Sequence, residues 1–240
     1  MTYILSLNNS DQAWGWLQDQ DHTGVAFYTV YAPDIFDSKW EIHLNGGNDY
    51  LWLGLDDGLF QAISLGLYGG SGNDTLCGFN GDDTIDGGTG DDRMFDSRGS
   101  DTYYVDSVGD VITENYFSTD GTGTDIVIAS LDYALPPNME GLVLSGGSDL
   151  NGWGNIYSNT LTGNSGNNIL DGLQGSDTLI GGAGDDVYVI DSTYDQVIEL
   201  ANQGIDIVET GVSFTLSAFV EQGFLNSAGR NQSLTGNTVL

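Results

Sequence analysis

Aspartate recurs every nine residues along two stretches of this 240-residue chain. The positions are Asp74, Asp83, Asp92, Asp101 and Asp110 in the first stretch, and Asp177, Asp186 and Asp195 in the second. Carboxylates are hard oxygen ligands, so a regular row of them is suited to holding divalent cations. Solvated hairpin turns are the alternative interpretation, but they give no reason for a second array to repeat the same spacing.

These aspartates occupy the sixth place of a nine-residue repeat whose best copies have glycine at the first, second and fourth places. Three contiguous copies fill residues 69–95, and two weaker copies continue through residues 96–113. The pattern returns in residues 163–198, and residues 45–52 form a degenerate upstream copy. Glycine supplies 36 residues of the chain and proline only 3, a composition that indicates many tight turns.

The repeat predicts a turn followed by a short strand. Glycine tolerates positive φ, so the first six residues can bend tightly while their carbonyl groups crowd round a centre. The last three residues, such as Thr75, Leu76 and Cys77, then form a strand whose middle side chain points into the core. Two repeats make one flattened coil, and coils stack about 4.8 Å apart. We therefore expect an all-β fold, a parallel β-roll of the β-solenoid type.

Stacking places each sixth residue over the one eighteen residues later. The expected columns are Asp74 with Asp92 and Asp110, Asp83 with Asp101, Asn168 with Asp186, and Asp177 with Asp195. Two carboxylates about 5 Å apart repel by roughly 3 kcal/mol at an effective dielectric of about 20, so such columns need a cation. Ca²⁺ fits because it accepts about six to eight oxygens in flexible geometry, whereas Mg²⁺ demands a strict octahedron.

The chain is strongly acidic, with 4 Lys and Arg against 35 Asp and Glu and a net charge of −31. A polyanion gains nothing from bare nucleic acid or an anionic membrane surface, so both classes of partner are excluded.

No stretch approaches the roughly 20 apolar residues of a membrane span, which excludes membrane insertion, and we expect no cleaved N-terminal secretory signal. Cys77 is the single cysteine, so no internal disulfide forms.

A longer duplication lies over the short repeat, since residues 101–114 parallel residues 186–199 and residues 125–140 parallel residues 206–221. It predicts one elongated array without a conventional linker. We divide the chain into an N-terminal β cap (1–43), a first array (44–113), an inter-array β segment (114–153), a second array (154–198) and a second, incomplete copy of that segment (199–240).

The N-terminal segment is rich in aromatic residues and has no nine-residue repeat. Four of the five tryptophans lie in the first 52 residues, and β-branched and aromatic runs there predict short strands. Trp14, Trp16, Tyr31 or Trp40 could stack on sugar rings, which makes carbohydrate a weaker candidate ligand. We favour a small aromatic-rich β cap that covers the first coil and blocks edge pairing.

At residues 69–95 and 163–189 the sequence resembles the RTX (repeats-in-toxin) haemolysin-type calcium-binding family. The resemblance extends over residues 45–240 and implies a parallel β-roll that folds on binding Ca²⁺. It also implies type I secretion from a Gram-negative-type bacterium and an extracellular or cell-surface location. The bridging aspartates that it implies are Asp74, Asp83, Asp92, Asp101, Asp177 and Asp186, and the implied carbonyl ligands are Gly70, Gly72, Gly81, Gly87 and Thr89.

The second array departs from the family pattern more than the first. Asn159 and Asn168 occupy sixth places, which should weaken their calcium sites. Leu173 replaces a second-place glycine, as Phe79 does in the first array. We therefore expect the first array to bind Ca²⁺ more tightly than the second.

The residue inventory favours a binding or structural protein over an enzyme. His22 and His43 are the only histidines and lie too far apart for a His-Glu-x-x-His zinc site, and no Gly-x-Ser-x-Gly motif occurs. The neighbouring Leu76 points into the core, so we expect Cys77 on the outer face of its strand, as an inert thiol. The expected function is a calcium-folded, secreted or surface β-roll without catalysis.

Two alternatives stay open. The first is a matrix or filament subunit, because residues 233–240 end inside another repeat and an open coil could dock head-to-tail on a second copy of the chain. The second is a non-catalytic RTX module of a larger exoenzyme or adhesin.

Overall fold

A computed structural model describes residues 5–6, 40–44, 46–52, 64–78, 80–96, 98–114, 123–226 and 232–236. These residues form twenty-two β-strands and no helix, so they include no helical membrane span. The chain divides into two compact units, residues 1–125 and residues 126–240. The expected all-β fold is confirmed, and each unit is a stack of parallel strands.

The first unit contains nine strands. They are β1 (Leu5–Ser6), β2 (Trp40–His43), β3 (Tyr50–Trp52), β4 (Leu65–Ser71), β5 (Thr75–Cys77), β6 (Thr84–Thr89), β7 (Arg93–Phe95), β8 (Thr102–Val105) and β9 (Val111–Thr113). One sheet has the order β1-β2-β4-β6-β8, and the other has the order β3-β5-β7-β9. Successive neighbours are parallel except β1 and β2, which are antiparallel.

The register of the first unit follows the doubled nine-residue period. Thr75 pairs with Arg93, and Arg93 pairs with Val111, so these successive coils advance by eighteen residues. The middle residue of each three-residue strand points inward, as expected. Two ladders of side chains, each at most 6% exposed, fill the space between the sheets: Leu67, Ile85 and Tyr103 from one sheet, and Leu76, Met94 and Ile112 from the other.

The second unit contains thirteen strands. They are β10 (Ile126–Ala129), β11 (Tyr133–Ala134), β12 (Gly141–Leu144), β13 (Asn151–Trp153), β14 (Thr160–Thr162), β15 (Ile169–Asp171), β16 (Thr178–Ile180), β17 (Val187–Ile190), β18 (Gln196–Ile198), β19 (Ile207–Thr210), β20 (Phe214–Thr215), β21 (Gln222–Leu225) and β22 (Leu234–Thr235). Its sheets have the orders β10-β12-β14-β16-β18, β11-β13-β15-β17-β19-β21 and β20-β22, all parallel.

The core of the second unit is built in the same way. Leu142, Leu161, Leu179 and Val197 stack in register from one sheet, and Leu170, Tyr188 and Val208 stack from the other. Each is at most 4% exposed. Burial of these ladders supplies the apolar driving force of the fold, and the turns between the strands carry the polar groups.

Most of the expected N-terminal cap lies outside the described residues, and so do Trp14, Trp16 and Tyr31. The described part consists of β1 and β2, and β2 joins β4 in parallel, with Ile42 opposite Leu67. Ile42 is buried in the first unit. The strand next to the array therefore extends the sheet of the roll.

Candidate metal centre

The sixth-place aspartates of the first unit form two hydrogen-bonded columns. The backbone N–H of Asp74 donates to Oδ1 of Asp92 (2.7 Å), and that of Asp92 donates to Oδ1 of Asp110 (3.0 Å). On the other edge, the N–H of Asp83 donates to Oδ1 of Asp101 (2.7 Å). One oxygen of each later carboxylate is thus fixed by the backbone of the coil before it.

The second unit repeats this arrangement with asparagine at two of its sixth places. The N–H of Asn168 donates to Oδ1 of Asp186 (2.7 Å), and that of Asn159 donates to Oδ1 of Asp177 (2.8 Å). The N–H of Asp177 in turn donates to Oδ1 of Asp195 (3.1 Å). The eighteen-residue stacking predicted from the sequence is present in both units.

The other oxygen of several of these carboxylates has no protein partner. Among the described residues, Oδ2 is buried without a hydrogen bond in Asp74, Asp92, Asp101, Asp177 and Asp186. Each of the five side chains is at most 1% exposed. A buried carboxylate oxygen without a donor costs free energy unless it is protonated or bound to a cation. An all-oxygen set of this kind fits Ca²⁺, which prefers hard ligands.

Burial raises the pKa of these carboxyl groups well above the usual range. The pKa rises to about 6 for Asp74 and Asp92, and to about 7 for Asp177 and Asp186. Burial also raises the pKa of Asp101. Neighbouring acidic groups raise the values further, while the backbone hydrogen bonds to Oδ1 lower them. A cation in the columns would offset the cost of ionising these groups.

Glycine at the first place of the repeat makes room for the carboxylate. A Cβ added to Gly69 would lie 2.5 Å from Oδ2 of Asp74. A Cβ added to Gly87 would collide with the carboxylate of Asp92 in the same way. Any larger residue at the first place would displace the carboxylate from its position between coils.

Of the residues predicted to supply carbonyl ligands, Gly72 and Gly81 lie in turns, whereas Gly70 lies at the end of β4 and Gly87 and Thr89 lie at the end of β6. Gly70, Gly72 and Gly81 have φ values of 105°, 123° and 119°, which glycine adopts without strain. Gly87 lies against the sixth-place carboxylate of its own repeat. The carbonyl oxygen of Thr89 accepts a hydrogen bond from the N–H of Gly72 (2.8 Å). All five remain predicted ligands.

Asp110 and Asp195, the last aspartates of the two arrays, differ from the others. Oδ2 of Asp110 accepts hydrogen bonds from the N–H groups of Asp106 (3.1 Å) and Ser107 (3.0 Å). Oδ2 of Asp195 accepts one from the N–H of Ser192 (3.0 Å). Both carboxylates therefore use their second oxygen to close their own turns. They remain predicted ligands, but each offers fewer free lone pairs than the aspartates before it.

The asparagine turns have donors where the aspartate turns have unpartnered oxygens. Nδ2 of Asn168 donates to the carbonyl oxygen of Leu150 (2.8 Å), and its Oδ1 accepts from the N–H of Asn164 (2.8 Å). Nδ2 of Asn159 donates to the carbonyl oxygen of Met139 (2.8 Å). Both asparagines are at most 3% exposed. These two turns satisfy their buried polar groups with protein atoms alone.

Acidic side chains outside the nine-residue register also gather in the roll. The groups are Asp83 with Asp96 and Asp101, Asp101 with Glu114 and Asp125, and Asp186 with Glu199 and Asp206; in each, one oxygen per residue lies within 4.8 Å of the others. The repeat alone did not predict Asp96, Glu114, Asp125, Glu199 or Asp206 as site residues. The longer duplication could have indicated the last two groups, because it aligns residues 101–114 with residues 186–199 and so places Glu114 and Glu199 at equivalent positions.

Neither Cys77 nor His43 forms a nucleophilic centre. The prediction that Cys77 faces outward was wrong, because its side chain is fully buried, in register with Phe95 of β7. Burial raises the pKa of the thiol to about 12, so it is protonated at neutral pH. His43 stacks on Tyr68, with ring centroids 4.4 Å apart, and its Nε2 lies 3.8 Å from Oε2 of Glu41.

Comparison with known families gives one match. The family model of the RTX calcium-binding nonapeptide repeat (4 copies) matches residues 67–78, 78–112 and 153–188. These segments contain the sixth-place aspartates from Asp74 to Asp186, but not Asp195, and they contain the asparagine turns at Asn159 and Asn168. No curated protein and no solved structure matches the chain.

Proposed function

The chain carries RTX calcium-binding nonapeptide repeats, and on this premise we propose that it is a secreted or cell-surface structural β-roll that folds when Ca²⁺ binds and has no catalytic activity. RTX repeats bind Ca²⁺.

The observation that carries the proposal is the row of unpartnered carboxylate oxygens. Five buried Oδ2 atoms have no hydrogen-bond donor among the described residues. The whole chain has only 4 Lys and Arg, and residues 126–226 contain none. Among residues 126–226, no basic side chain can neutralise the columns of the second unit, so protons and metal ions are the candidate partners.

The residues that would hold Ca²⁺ are the sixth-place aspartates and the turn carbonyls between stacked coils. Oδ1 of each carboxylate is held by a backbone N–H, which aims Oδ2 of residues such as Asp92 into the space beside the first-place glycine. The bound ion would supply positive charge that joins oxygens from successive coils.

The energetic scale supports folding on calcium. A ligand at about 100 times its dissociation constant stabilises the folded state by roughly 2.7 kcal/mol per site, so four sites supply roughly 11 kcal/mol. A whole domain has a stability of about 5–15 kcal/mol. Calcium binding at four or more sites would therefore decide whether the roll is folded.

A structural rather than catalytic role is supported by the lack of an activated nucleophile among the described residues. Cys77 is buried with a raised pKa, and His43 stacks on Tyr68. Secretion is supported by the repeat itself, which is typical of exported proteins of Gram-negative bacteria. Extracellular fluid also supplies millimolar calcium, which weak sites need.

The test is to follow folding with and without calcium. In EDTA the chain should lose most of its β signal in far-ultraviolet circular dichroism and expand in size-exclusion chromatography. Adding Ca²⁺ should restore both, whereas an equal concentration of Mg²⁺ should not. A spectrum and an elution volume that stay the same in EDTA would refute calcium-driven folding.

A further inference from the structure

Three acidic side chains meet in the second unit at a place that the nine-residue register does not account for. Asp186 precedes β17, Glu199 follows β18 and Asp206 precedes β19. One carboxylate oxygen of each lies within 4.8 Å of the other two. Their side chains are 0%, 6% and 1% exposed, so water screens the three charges little.

An unpartnered oxygen points into this group. Oδ2 of Asp186 is buried without a hydrogen bond. A Cβ added to Gly181 would contact both Oδ2 of Asp186 and the hydroxyl of Tyr188, so these two atoms lie on the same side of the turn. That hydroxyl donates a hydrogen bond to Oε1 of Glu199. The unpartnered oxygen of Asp186 therefore faces the side chain of Glu199.

The other two carboxylates are held in position and still have lone pairs to offer. Oε2 of Glu199 accepts a hydrogen bond from the N–H of Leu200 (3.2 Å). Oδ1 of Asp206 accepts one from the N–H of Asp186 (2.9 Å). A carboxylate has about four lone-pair positions, so each keeps acceptor capacity for a cation. Tyr188 is fully buried and fixes the position of Glu199.

The first unit contains the same arrangement. Asp101, Glu114 and Asp125 bring one oxygen each within 4.8 Å of the others. The N–H of Asp101 donates to Oδ1 of Asp125 (2.8 Å), and the hydroxyl of the buried Tyr103 donates to Glu114. Oδ2 of Asp101 is buried without a hydrogen bond, as in Asp186. The same arrangement of three carboxylates and one tyrosine therefore occurs in both units, which indicates a site that belongs to the longer duplication.

We propose that Asp186, Glu199 and Asp206 form a second type of calcium site, and that Asp101, Glu114 and Asp125 form its copy in the first unit. The site differs from the nonapeptide sites because a glutamate from outside the nine-residue register supplies one ligand and a buried tyrosine fixes that glutamate. Its ligands are all carboxylates, without histidine or cysteine, which favours a hard cation such as Ca²⁺. The inference rests on the proposed calcium binding and extends it.

The site would tie the end of each array to the segment after it. Glu199 and Asp206 lie in the chain that follows the last nonapeptide, on either side of a turn at residues 201–203. An ion bound to both, and to Asp186, would link this turn to the last strong repeat. We therefore expect the site to be occupied in the calcium-loaded protein and its loss to loosen residues 199–206.

The experiment counts calcium ions bound by the full chain, by equilibrium dialysis with radioactive calcium at pH 7.5. Glu199→Gln keeps the size of the side chain and its acceptor for Tyr188 but removes the charge. It should bind one calcium ion fewer than the wild type, and Glu114→Gln combined with Glu199→Gln should bind two fewer. Glu209→Gln, at an exposed position of β19, is the matched control and should bind the wild-type number.

Tyr188→Phe separates a ligand role of Glu199 from a structural one. It removes the hydrogen bond and keeps all three carboxylates, so it should bind the wild-type number of ions with weaker affinity. If Glu199 serves only as the partner of Tyr188, Tyr188→Phe loses stability, Glu199→Gln keeps it because its amide oxygen still accepts the hydrogen bond, and neither variant loses an ion. An unchanged ion count in the double glutamine variant overturns this inference alone. A wild type that binds no calcium overturns the proposed function as well.

Discussion

In the first unit, the turn at Asp92 buries a carboxylate whose Oδ2 has no protein partner, whereas in the second unit the turn at Asn168 buries an amide that donates to the carbonyl of Leu150. Both residues occupy the sixth place of the repeat, and the N–H of each donates to the sixth-place aspartate one coil later. The same backbone stacking therefore occurs with two ways of satisfying the buried polar atoms.

The two asparagine repeats also have asparagine at the second place. In the repeats that contain Asp92 and Asp186, the second place is Gly88 or Gly182, with φ of 80° and 99°. In the repeat that contains Asn168, the second place is Asn164, whose Nδ2 donates to the carbonyl oxygens of Ser145 (3.3 Å) and Ser148 (2.9 Å).

The repeat that contains Asn159 has the same substitution. Its second-place residue, Asn155, donates from Nδ2 to the carbonyl oxygens of Pro136 and Met139, at 2.9 Å in each case. Amide N–H groups thus point at the carbonyls of the preceding coil in both asparagine repeats. We therefore expect the two asparagine repeats to depend less on calcium than the aspartate repeats.

The largest expected effect comes from removing an aspartate with neighbours on both sides. Asp92 lies between Asp74 and Asp110 in one column, so Asp92→Ala should weaken two calcium sites and cost up to roughly 5 kcal/mol in saturating calcium. Calorimetric titration should show two weakened sites. Asp149→Ala, at an exposed residue outside the columns, is the control. Equal losses in the two variants would contradict the register.

The converse change should give an asparagine turn the calcium requirement of an aspartate turn. Asn168→Asp removes the hydrogen bond to Leu150 and buries a carboxylate, which should cost roughly 1–3 kcal/mol in EDTA. Calcium should recover part of that loss. Thermal melts of the wild type and the variant, with and without calcium, measure both effects. A variant that is as stable as the wild type in EDTA would show that the amide hydrogen bond is dispensable.

The pH dependence of the calcium-free protein should also follow the aspartate columns. The folded pKa of Asp92 is about 6 and that of Asp177 about 7, both above the ordinary value of 3.8. The folded state keeps these carboxyl groups protonated to higher pH than the unfolded state does. The free energy of unfolding is therefore highest below pH 3.8 and falls as the pH rises through 6 to 7. In EDTA the β signal should therefore be larger at pH 5 than at pH 8, and Asp92→Asn should reduce the difference. A calcium-free protein with more β signal at pH 8 would contradict the raised pKa values.

The smallest effect concerns a residue that departs from the glycine pattern. Leu173 stands at a second place with φ of 60°, a conformation that costs a leucine about 1–2 kcal/mol. Its side chain is 41% exposed, so Leu173→Gly loses little burial and should stabilise the second unit by roughly 0.5–1 kcal/mol. Leu200→Gly, at an exposed position that lacks positive φ, should not stabilise it. Melting temperatures in saturating calcium separate the two outcomes.

Within the nonapeptide arrays, the nine-residue period was sufficient to predict the short strands, the inward-facing residues and the columns. It works because each repeat has the same length as the turn and strand that it forms, so Leu76 and Met94 occupy equivalent core positions. The match to RTX repeats follows from the same pattern.

Features that depend on contacts outside the period could not be predicted from it. Glu199 lies thirteen residues after Asp186 and joins it only because the chain turns between β17 and β18. The amide donors of Asn164 and Asn168 need the carbonyls of the preceding coil at the right distance, which spacing does not specify. Burial of Cys77 likewise depends on the neighbouring strand.

The most direct test of calcium as the missing partner of the carboxylate columns is amide hydrogen exchange in calcium and in EDTA, followed strand by strand. We expect removal of calcium to lower protection strongly in β5 and β7, whose turns carry Asp74 and Asp92, and less in β14, which follows the asparagine turn at Asn159. Protection of β5 and β7 that is the same in EDTA as in calcium would contradict it.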